Sequence, residues 1–155
     1  MNLRPATASD APAVAEIWLH GWRDGHLGHV PTELAAERTP ASFATRAADR
    51  VADTTVAEID GSVAGFVMLH DDEVEQVYVA SAHRGTGVAP ALIAEAERLV
   101  AAAGHSRAWL AVVAGNARAR RFYERSGWVD EGLFDYAAPS SGVSVPCHRY
   151  TKALT

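Results

Sequence analysis

Cysteine and lysine are almost absent from this chain of 155 residues, which has one of each, Cys147 and Lys152. A single cysteine excludes an internal disulfide and any metal site built from several cysteines. The sequence also lacks an apolar run long enough to span a bilayer, and its N-terminus has no signal-peptide pattern. We therefore expect a cytoplasmic protein that does not associate with a membrane.

Basic residues are fewer than acidic residues, and the formal net charge is −5. This balance gives no electrostatic reason to bind nucleic acid. Hydrophobic residues make up 48% of the chain and charged residues 21%, which is typical of a globular protein with a substantial core. No internal repeat, low-complexity tract or linker divides the sequence, so we expect one domain over residues 1–155 and no nucleic-acid partner.

The middle of the chain carries the clearest strand patterns. Thr54–Ile59 and Ser62–Leu69 flank an Asp60-Gly61 turn, which predicts an antiparallel hairpin. Val74–Val79 follows as a third strand. Ala108–Val113 is apolar throughout, which predicts a strand that is buried on both faces and runs parallel to Val74–Val79 after a helical crossover.

The remaining elements are predicted more simply. The segment Gly21–Pro31 is rich in glycine, histidine and tryptophan and is predicted to be a functional loop. Leu3–Thr7 is predicted to be an edge strand, and a first helix is predicted to begin at Ser9 or Asp10. Residues 32–50 are predicted to form one or two helices with a break at Pro40. The last predicted elements are a short late helix over Gly115–Trp128 and two final strands, Trp128–Phe134 and Val145–Thr151.

A glycine-containing turn joins the strand Val74–Val79 to an apolar helix. Such a turn presents free backbone N–H groups at the positive end of a helix dipole, which is a binding site for phosphate. A dinucleotide-binding fold would need a third glycine where Pro90 stands, and a ribose-binding acid in a region without Asp or Glu. A P-loop would need Gly-Lys-Ser/Thr, which this turn lacks.

Two motifs in the sequence resemble those of the GCN5-related N-acetyltransferases, the GNAT superfamily. The turn 84–89, Arg-Gly-Thr-Gly-Val-Ala, is similar to the R-x-x-G-x-A pyrophosphate loop of that family. Residues 116–128 match a second family pattern, N-x-x-A-x-x-F-Y-x-x-x-G-W. The resemblance implies an α/β fold with a mixed, mostly antiparallel central sheet, one splayed pair of parallel strands and helices on both faces. It also implies acetyl-CoA as the co-substrate.

The resemblance further assigns roles to residues at the matched positions. Asn116 would contact the pantetheine arm, and Tyr123 would face the thioester sulfur. Pro90 departs from the usual pattern because proline has no N–H to offer a phosphate. The residues implied to bind the cofactor are Val77, Tyr78, Val79, Arg84, Gly85, Thr86, Gly87, Val88, Ala89, Asn116 and Tyr123.

Two residues are candidates for proton transfer. Tyr123 is the candidate general acid, because a phenol at the sulfur can protonate or hydrogen-bond the departing thiolate. Glu75 is the candidate general base, although strand alternation would point it at an apolar face unless a bulge or a solvent-filled cleft intervenes. Asp72 and Glu73 are alternatives for the same role.

Other polar residues could complete the site. Trp22 and His26 belong to the segment that forms the acceptor wall in the family and are candidates for substrate binding. The spacing of His26 and His29 lacks a third ligand, so no metal site is expected. Three arginines on the predicted late helix could meet the 3′-phosphate of CoA or form a solvated basic face: Arg118, Arg121 and Arg125.

The resemblance implies an acetyl-CoA-dependent N-acyltransferase. It would transfer an acetyl group to a primary amine, on a small molecule or a protein N-terminus, by direct attack in a ternary complex. The acidic residues 71–75 favour a cationic amine. The alternative is a non-catalytic acyl-CoA-binding regulatory module, and a homodimer is compatible with either function. A nucleotide-dependent oxidoreductase is disfavoured by the missing third glycine and acid.

Overall fold

One seven-stranded sheet runs through the protein, and a computed structural model describes all residues from Met1 to Thr155. Five α-helices accompany the sheet. In chain order the elements are β1 Asn2–Pro5, α1 Ala11–His26, α2 Thr32–Glu37, α3 Pro40–Asp49, β2 Thr54–Ile59, β3 Ser62–His70, β4 Glu73–Val79, α4 Val88–Ala102, β5 Arg107–Val113, α5 Ala117–Arg125, β6 Val129–Ala137 and β7 Ser144–Ala153.

The strands lie in the order β1-β2-β3-β4-β5-β7-β6, and only the central pair β4 and β5 is parallel. This pair meets at a single position, Glu73 opposite Trp109. Beyond that point the two strands separate and leave a gap in the middle of the sheet. The predicted mixed, mostly antiparallel sheet with one splayed parallel pair is therefore confirmed.

Helices cover both faces of the sheet, as predicted. On one face, α1 and α3 contribute Trp18 and Phe43 to a core that includes Phe66 and Met68 from β3. On the other face, α4 packs its apolar side, including Leu92, against a second core. The apolar residues of α4 recur at helical spacing, so one side of this helix is buried. None of the helices has the length and apolar character that crossing a membrane requires.

The prediction of a loop over Gly21–Pro31 is wrong for its first half, because α1 continues to His26. Gly21 lies inside this helix and serves its packing. A Cβ atom added at Gly21 would lie 2.3 Å from Cδ1 of Tyr78, which is far closer than two carbon atoms can approach. Glycine is therefore needed here so that the helix can lie against β4, and it does not mark a turn.

A β-bulge in β4 changes the direction of Glu75. Met68 of β3 pairs with Gln76, whereas the next residue of β3, Leu69, pairs with Val74. Glu75 is thus the extra residue of β4, without a partner on β3. The bulge that Glu75 needed in order to leave the apolar face is present.

The last two strands are longer than predicted, and β7 lies between β5 and β6. Seven residues of β5 pair with β7, from Arg107 opposite Ala153 to Val113 opposite Cys147. Pro146 is the third residue of β7, in agreement with the expectation that it lies near the start of its strand. As a result, β7 supports β5, the strand on the far side of the gap, along its whole length.

Candidate functional site

Two adjoining cavities open where β4 and β5 separate. The outer cleft has a volume of about 550 Å³ and lies between the turn 83–90 and α5. The inner pocket has a volume of about 120 Å³ and lies below α1, α2 and α3. The residues that line both cavities, and so mark their junction, are Val77, Tyr78, Asn116, Ala119 and Tyr123.

The turn before α4 forms one wall of the outer cleft. Gly85 and Gly87 have φ values of +77° and +87°, in the left-handed region that favours glycine. A Cβ atom at either position would meet nothing within 4 Å, so the backbone conformation, and not the space, requires these glycines. The first-turn N–H groups of Val88 and Ala89 have no partner within the helix, whereas Pro90 has no N–H.

Most of the residues predicted to hold the pyrophosphate line this cleft. Arg84, Gly85, Gly87, Val88 and Ala89 do so. Thr86 does not, because its hydroxyl donates a hydrogen bond to the carbonyl of His83 and the side chain stays with the turn.

Cationic side chains surround the outer cleft. Arg118 and Arg125 line it and take part in no ion pair, whereas Arg121 does not line it. Arg84 also lines the cleft, with its Nη2 2.7 Å from Oδ2 of Asp24 on α1. The cleft is therefore locally positive in a protein whose net charge is −5. Two of the three arginines considered for the 3′-phosphate, Arg118 and Arg125, thus line the outer cleft.

Backbone amides of β4 face the gap in the sheet. The N–H of Ala80 donates to the carbonyl of Ala64 on β3 at 2.8 Å. Residues of an antiparallel strand alternate in the side to which they direct their hydrogen bonds. The N–H groups of Val77 and Val79 therefore point away from β3, toward the junction of the two cavities. Tyr78 contributes its side chain there, packed 5.8 Å from the ring of Phe66 between centroids.

Asn116 and Tyr123 come from α5, where the second sequence motif lies. The side-chain oxygen of Asn116 accepts from the N–H of Ala119 at 3.2 Å and so begins the helix. The Tyr123 ring lies with its centroid 6.2 Å from those of Trp128 and Tyr150. Burial raises the pKa of the Tyr123 hydroxyl, which makes no hydrogen bond within the protein. A neutral phenol thus stands at the junction with a free donor.

Trp22 and His26, the candidates for substrate binding, both line the inner pocket. Their rings stack with centroids 5.0 Å apart and 6° between the planes. Nδ1 of His26 lies 3.1 Å from the carbonyl oxygen of Trp22, so this nitrogen carries the proton and Nε2 is left as an acceptor. Burial lowers the pKa of His26 to about 4, and the imidazole is neutral near pH 7.

Glu75 also lines the inner pocket, but it is engaged in an ion pair that the sequence did not indicate. Oε1 of Glu75 lies 2.9 Å from Nη1 of Arg50, and only 6% of the Glu75 side chain is exposed. Arg50 also binds Asp53 at 2.8 Å and the carbonyl of Leu69 at 3.0 Å. An arginine at a helix end is usually solvated, so the sequence carries no signal for this contact.

The alternative carboxylates lie outside the pocket. Glu73 is buried, accepts a hydrogen bond from the hydroxyl of Tyr136, and has its pKa raised by burial. Asp72 accepts from Nε1 of Trp109 at 3.1 Å. Neither residue lines the inner pocket, although Tyr136 does. Of the carboxylates considered, Glu75 is the one that a bound molecule could meet there.

Three further residues of the inner pocket were not predicted as site residues. The side chains of Arg38, Arg46 and Cys147 all line it. Nη2 of Arg38 donates to the carbonyl of Pro139 at 2.6 Å, and the guanidinium of Arg46 lies 4.2 Å from the centre of the Trp18 ring. Burial raises the pKa of the Cys147 thiol to about 12. Arginines on or just after short helices usually face solvent, and the packing of α2 and α3 over the sheet turns these two inward.

Comparisons with known proteins agree with this geometry. The family model described as acetyltransferase (GNAT) family matches residues 12–128. An uncharacterized N-acetyltransferase of Mycobacterium tuberculosis is 32% identical over 109 residues, which cover 67% of this chain and 70% of that protein.

Solved structures share the whole architecture. The Salmonella typhimurium protein yncA, solved with its cofactor acetyl-CoA, superimposes with a TM-score of 0.76 at 20% identity and covers 100% of this chain and 94% of its own. The PaiA N-acetyltransferase of Thermoplasma acidophilum, in complex with coenzyme A, gives a TM-score of 0.71 at 16% identity, with 98% of each chain covered. At these identities the likeness establishes the fold.

Proposed function

The chain belongs to the acetyltransferase (GNAT) family, and we propose that it transfers an acetyl group from acetyl-CoA to a primary amine. The observation that carries this proposal is the junction of the two cavities at Val77, Asn116 and Tyr123. A transferase needs separate places for two substrates whose reacting atoms meet. A protein that only bound acyl-CoA would need the outer cleft but not the inner pocket that continues from it.

The outer cleft suits the CoA part of acetyl-CoA, the molecule that yncA holds in its structure. The turn around Gly85 and Gly87 offers backbone N–H groups at the start of α4, where the helix dipole favours phosphate. Arg118 and Arg125 supply positive charge without a competing carboxylate partner. The gap between β4 and β5 leaves strand amides free for the pantetheine arm.

The junction suits the chemistry of acyl transfer. In the proposed complex, the N–H groups of Val77 and Val79 donate to the thioester oxygen as it gains negative charge, an oxyanion-hole role. The hydroxyl of Tyr123 donates to the sulfur that leaves as a thiolate. Because burial raises the pKa of Tyr123, the phenol is protonated at neutral pH and ready to donate.

We propose direct attack of the amine on the thioester, without an acyl-enzyme. Cys147 is the cysteine of the inner pocket, and burial raises its pKa to about 12. A thiol reacts as a nucleophile through its thiolate, which is scarce at that pKa. The packing of Cys147 in the core of β7 supports a structural role.

The incoming ammonium must lose a proton before its nitrogen can attack. We propose Glu75 as the acceptor of that proton, directly or through water, because it lines the inner pocket and its bulge turns it there. Arg50 keeps the carboxylate oriented through their 2.9 Å ion pair. His26, with its free Nε2 in the same pocket, is the second candidate.

A turnover assay tests the proposal. The purified protein is supplied with acetyl-CoA and a broad panel of primary amines, and released thiol is measured. In Tyr123→Phe the ring remains and the proton is lost, so turnover should fall by roughly two to four orders of magnitude with little change in CoA affinity. The matched control is Tyr150→Phe, which removes a phenol that hydrogen-bonds Glu124 and lies outside both cavities. Equal turnover of the two variants, with chemistry rate-limiting, would return Tyr123 to a packing role.

A further inference from the structure

The inner pocket contains two arginines that lack a carboxylate partner. Arg38 is only 6% exposed, and its Nε atom is buried without a hydrogen-bond partner. Arg46 lies against the face of the Trp18 ring, and its Nη1 atom is likewise buried and unpartnered. The contacts that these two guanidinium groups do make are to the carbonyl of Pro139 and to aromatic rings. Both side chains line the same small cavity.

This arrangement is costly in the free protein. A buried cation that lacks hydrogen bonds loses its hydration without compensation, and buried donors in folded proteins are normally paired. Burial, and after it the nearby positive charge of Arg38, lower the pKa of Arg46 to about 10. Two like charges in one pocket, each with an idle donor, are the features of a site for an anion.

No carboxylate in the pocket forms an ion pair with either arginine. Glu75 is the carboxylate among the lining residues, and it is already paired with Arg50 at 2.9 Å. Of the acidic residues in the stretch 71–75, which favoured a cationic substrate on sequence grounds, only Glu75 lines the pocket. A purely cationic acceptor would therefore meet an excess of positive charge at this end.

We propose that the acceptor carries a carboxylate or a comparable oxyanion beside its amine, and that Arg38 and Arg46 bind this anion. The inference rests on the proposed function, whose substrate class it names. Both arginines line the inner pocket but not the outer cleft, so the anion would lie away from the junction and the amine toward Tyr123. A pocket of about 120 Å³ suits a small molecule such as an α-amino acid.

The reaction balances without any further reactant. The ammonium group gives one proton to the base, its nitrogen bonds to the acetyl carbon, and the carbon–sulfur bond breaks. The thiolate leaves as free CoA after taking up a proton, and the nitrogen releases its extra proton to become an amide. The carboxylate of the acceptor is unchanged and serves only to hold the molecule.

Matched substrates test the proposal directly. The protein is assayed with acetyl-CoA and the common L-amino acids, their α-carboxamides and the corresponding decarboxylated amines, with thiol release as the readout. A charge-assisted contact to a buried arginine predicts that the acids are preferred in kcat/KM by about 10- to 100-fold over the amides of the same side chain. Amides or decarboxylated amines that react as well as the acids would overturn the proposal.

Variants of Arg46 separate anion binding from packing. Arg46→Met keeps an apolar stem against Trp18 and loses the charge, so it should remove the preference for acids over amides in kcat/KM. Arg46→Lys keeps the charge without the planar fork and should retain part of the preference. The matched control is Arg98→Met, at a side chain that is 64% exposed and pairs only with Glu95. An acid-to-amide ratio that Arg46→Met leaves unchanged would count against the site.

A binding measurement distinguishes failure of this inference from failure of the proposed function. N-acetyl amino acids and N-acetyl amino acid amides are titrated by calorimetry into the wild-type protein saturated with CoA. If no amine is acetylated but the acids bind in preference to the amides, the anion site stands and the catalytic proposal falls. If amines are acetylated but acids and amides bind equally, the catalytic proposal stands and the anion site falls. This comparison uses only the wild-type protein, so it distinguishes the two failures even if an arginine variant does not fold.

Discussion

The glycine inside α1 allows a sharp test of the packing between this helix and the site. Alanine is the better helix former, and Gly→Ala in a helix interior usually stabilises a protein by about 1 kcal/mol. At Gly21 the new Cβ atom would lie 2.3 Å from Cδ1 of Tyr78, where ordinary contact begins at 3.4 Å. The ring would have to retreat by about 1 Å, and overpacking of this kind costs about 1–3 kcal/mol. We therefore expect Gly21→Ala to lower the free energy of unfolding by about 1 kcal/mol.

The same substitution should also affect the reaction. Tyr78 lines both cavities beside Tyr123, so a displaced ring narrows the junction, and we expect turnover to fall by about tenfold or more. Urea unfolding and the thiol-release assay measure the two effects. In a Tyr78→Ala background the clash is gone, and Gly21→Ala should then stabilise the protein by about 1 kcal/mol. A stabilising Gly21→Ala in the wild-type background, with unchanged turnover, would refute the packing explanation.

Three further predictions concern the turn, the base and the histidine of the inner pocket. Gly87→Asp adds backbone strain and a negative charge in the outer cleft, so CoA binding measured by calorimetry should be abolished. The control is Gly61→Asp, at a similarly open position with a φ of +78°. It adds comparable strain at a remote hairpin and should leave CoA affinity intact. Glu75→Gln cannot accept a proton, so its turnover should rise more steeply with pH as free amine accumulates, and a wild-type pH–rate profile would move the base to His26. The pKa of His26 is about 4 in the folded protein, whereas its ordinary value of 6.5 applies to the unfolded chain. Between these two pH values the unfolded chain binds more protons than the folded protein. The free energy of unfolding should therefore fall as pH falls from about 6.5 to 4. His26→Gln should flatten this part of the stability curve, by at most about 3 kcal/mol, in denaturant titrations at each pH.

Local patterns were sufficient to predict much of the sheet. The Asp60-Gly61 turn identified the hairpin, and the continuous apolar run of β5 identified the parallel neighbour of β4. Both signals act over a few residues, which is why they can be recognised in one sequence. The position of β7 between β5 and β6 could not be predicted in the same way, because a hairpin specifies which strands are partners but not which of them lies next to β5.

The site was predictable where its residues belong to motifs. The turn around Gly87 and the helix with Tyr123 lie where the sequence placed them, at the two sides of one cleft. The inner pocket was harder, because its walls come from helices whose inward side depends on tertiary packing. Gly21 illustrates the limit: a glycine is read locally as a turn, and its contact with Tyr78 involves a distant strand.

The position of β7 has a consequence for how the protein forms during synthesis. β5 pairs with β4 at one position, so its hydrogen bonds depend almost entirely on β7, which the ribosome makes much later. Until Ala153 has left the ribosomal tunnel, an apolar strand has an unpaired edge, which is the kind of surface on which nascent chains aggregate. The inner pocket also lacks Val145 and Cys147 until that moment. The inner pocket and the second half of the sheet are therefore completed only when β7 has joined β5.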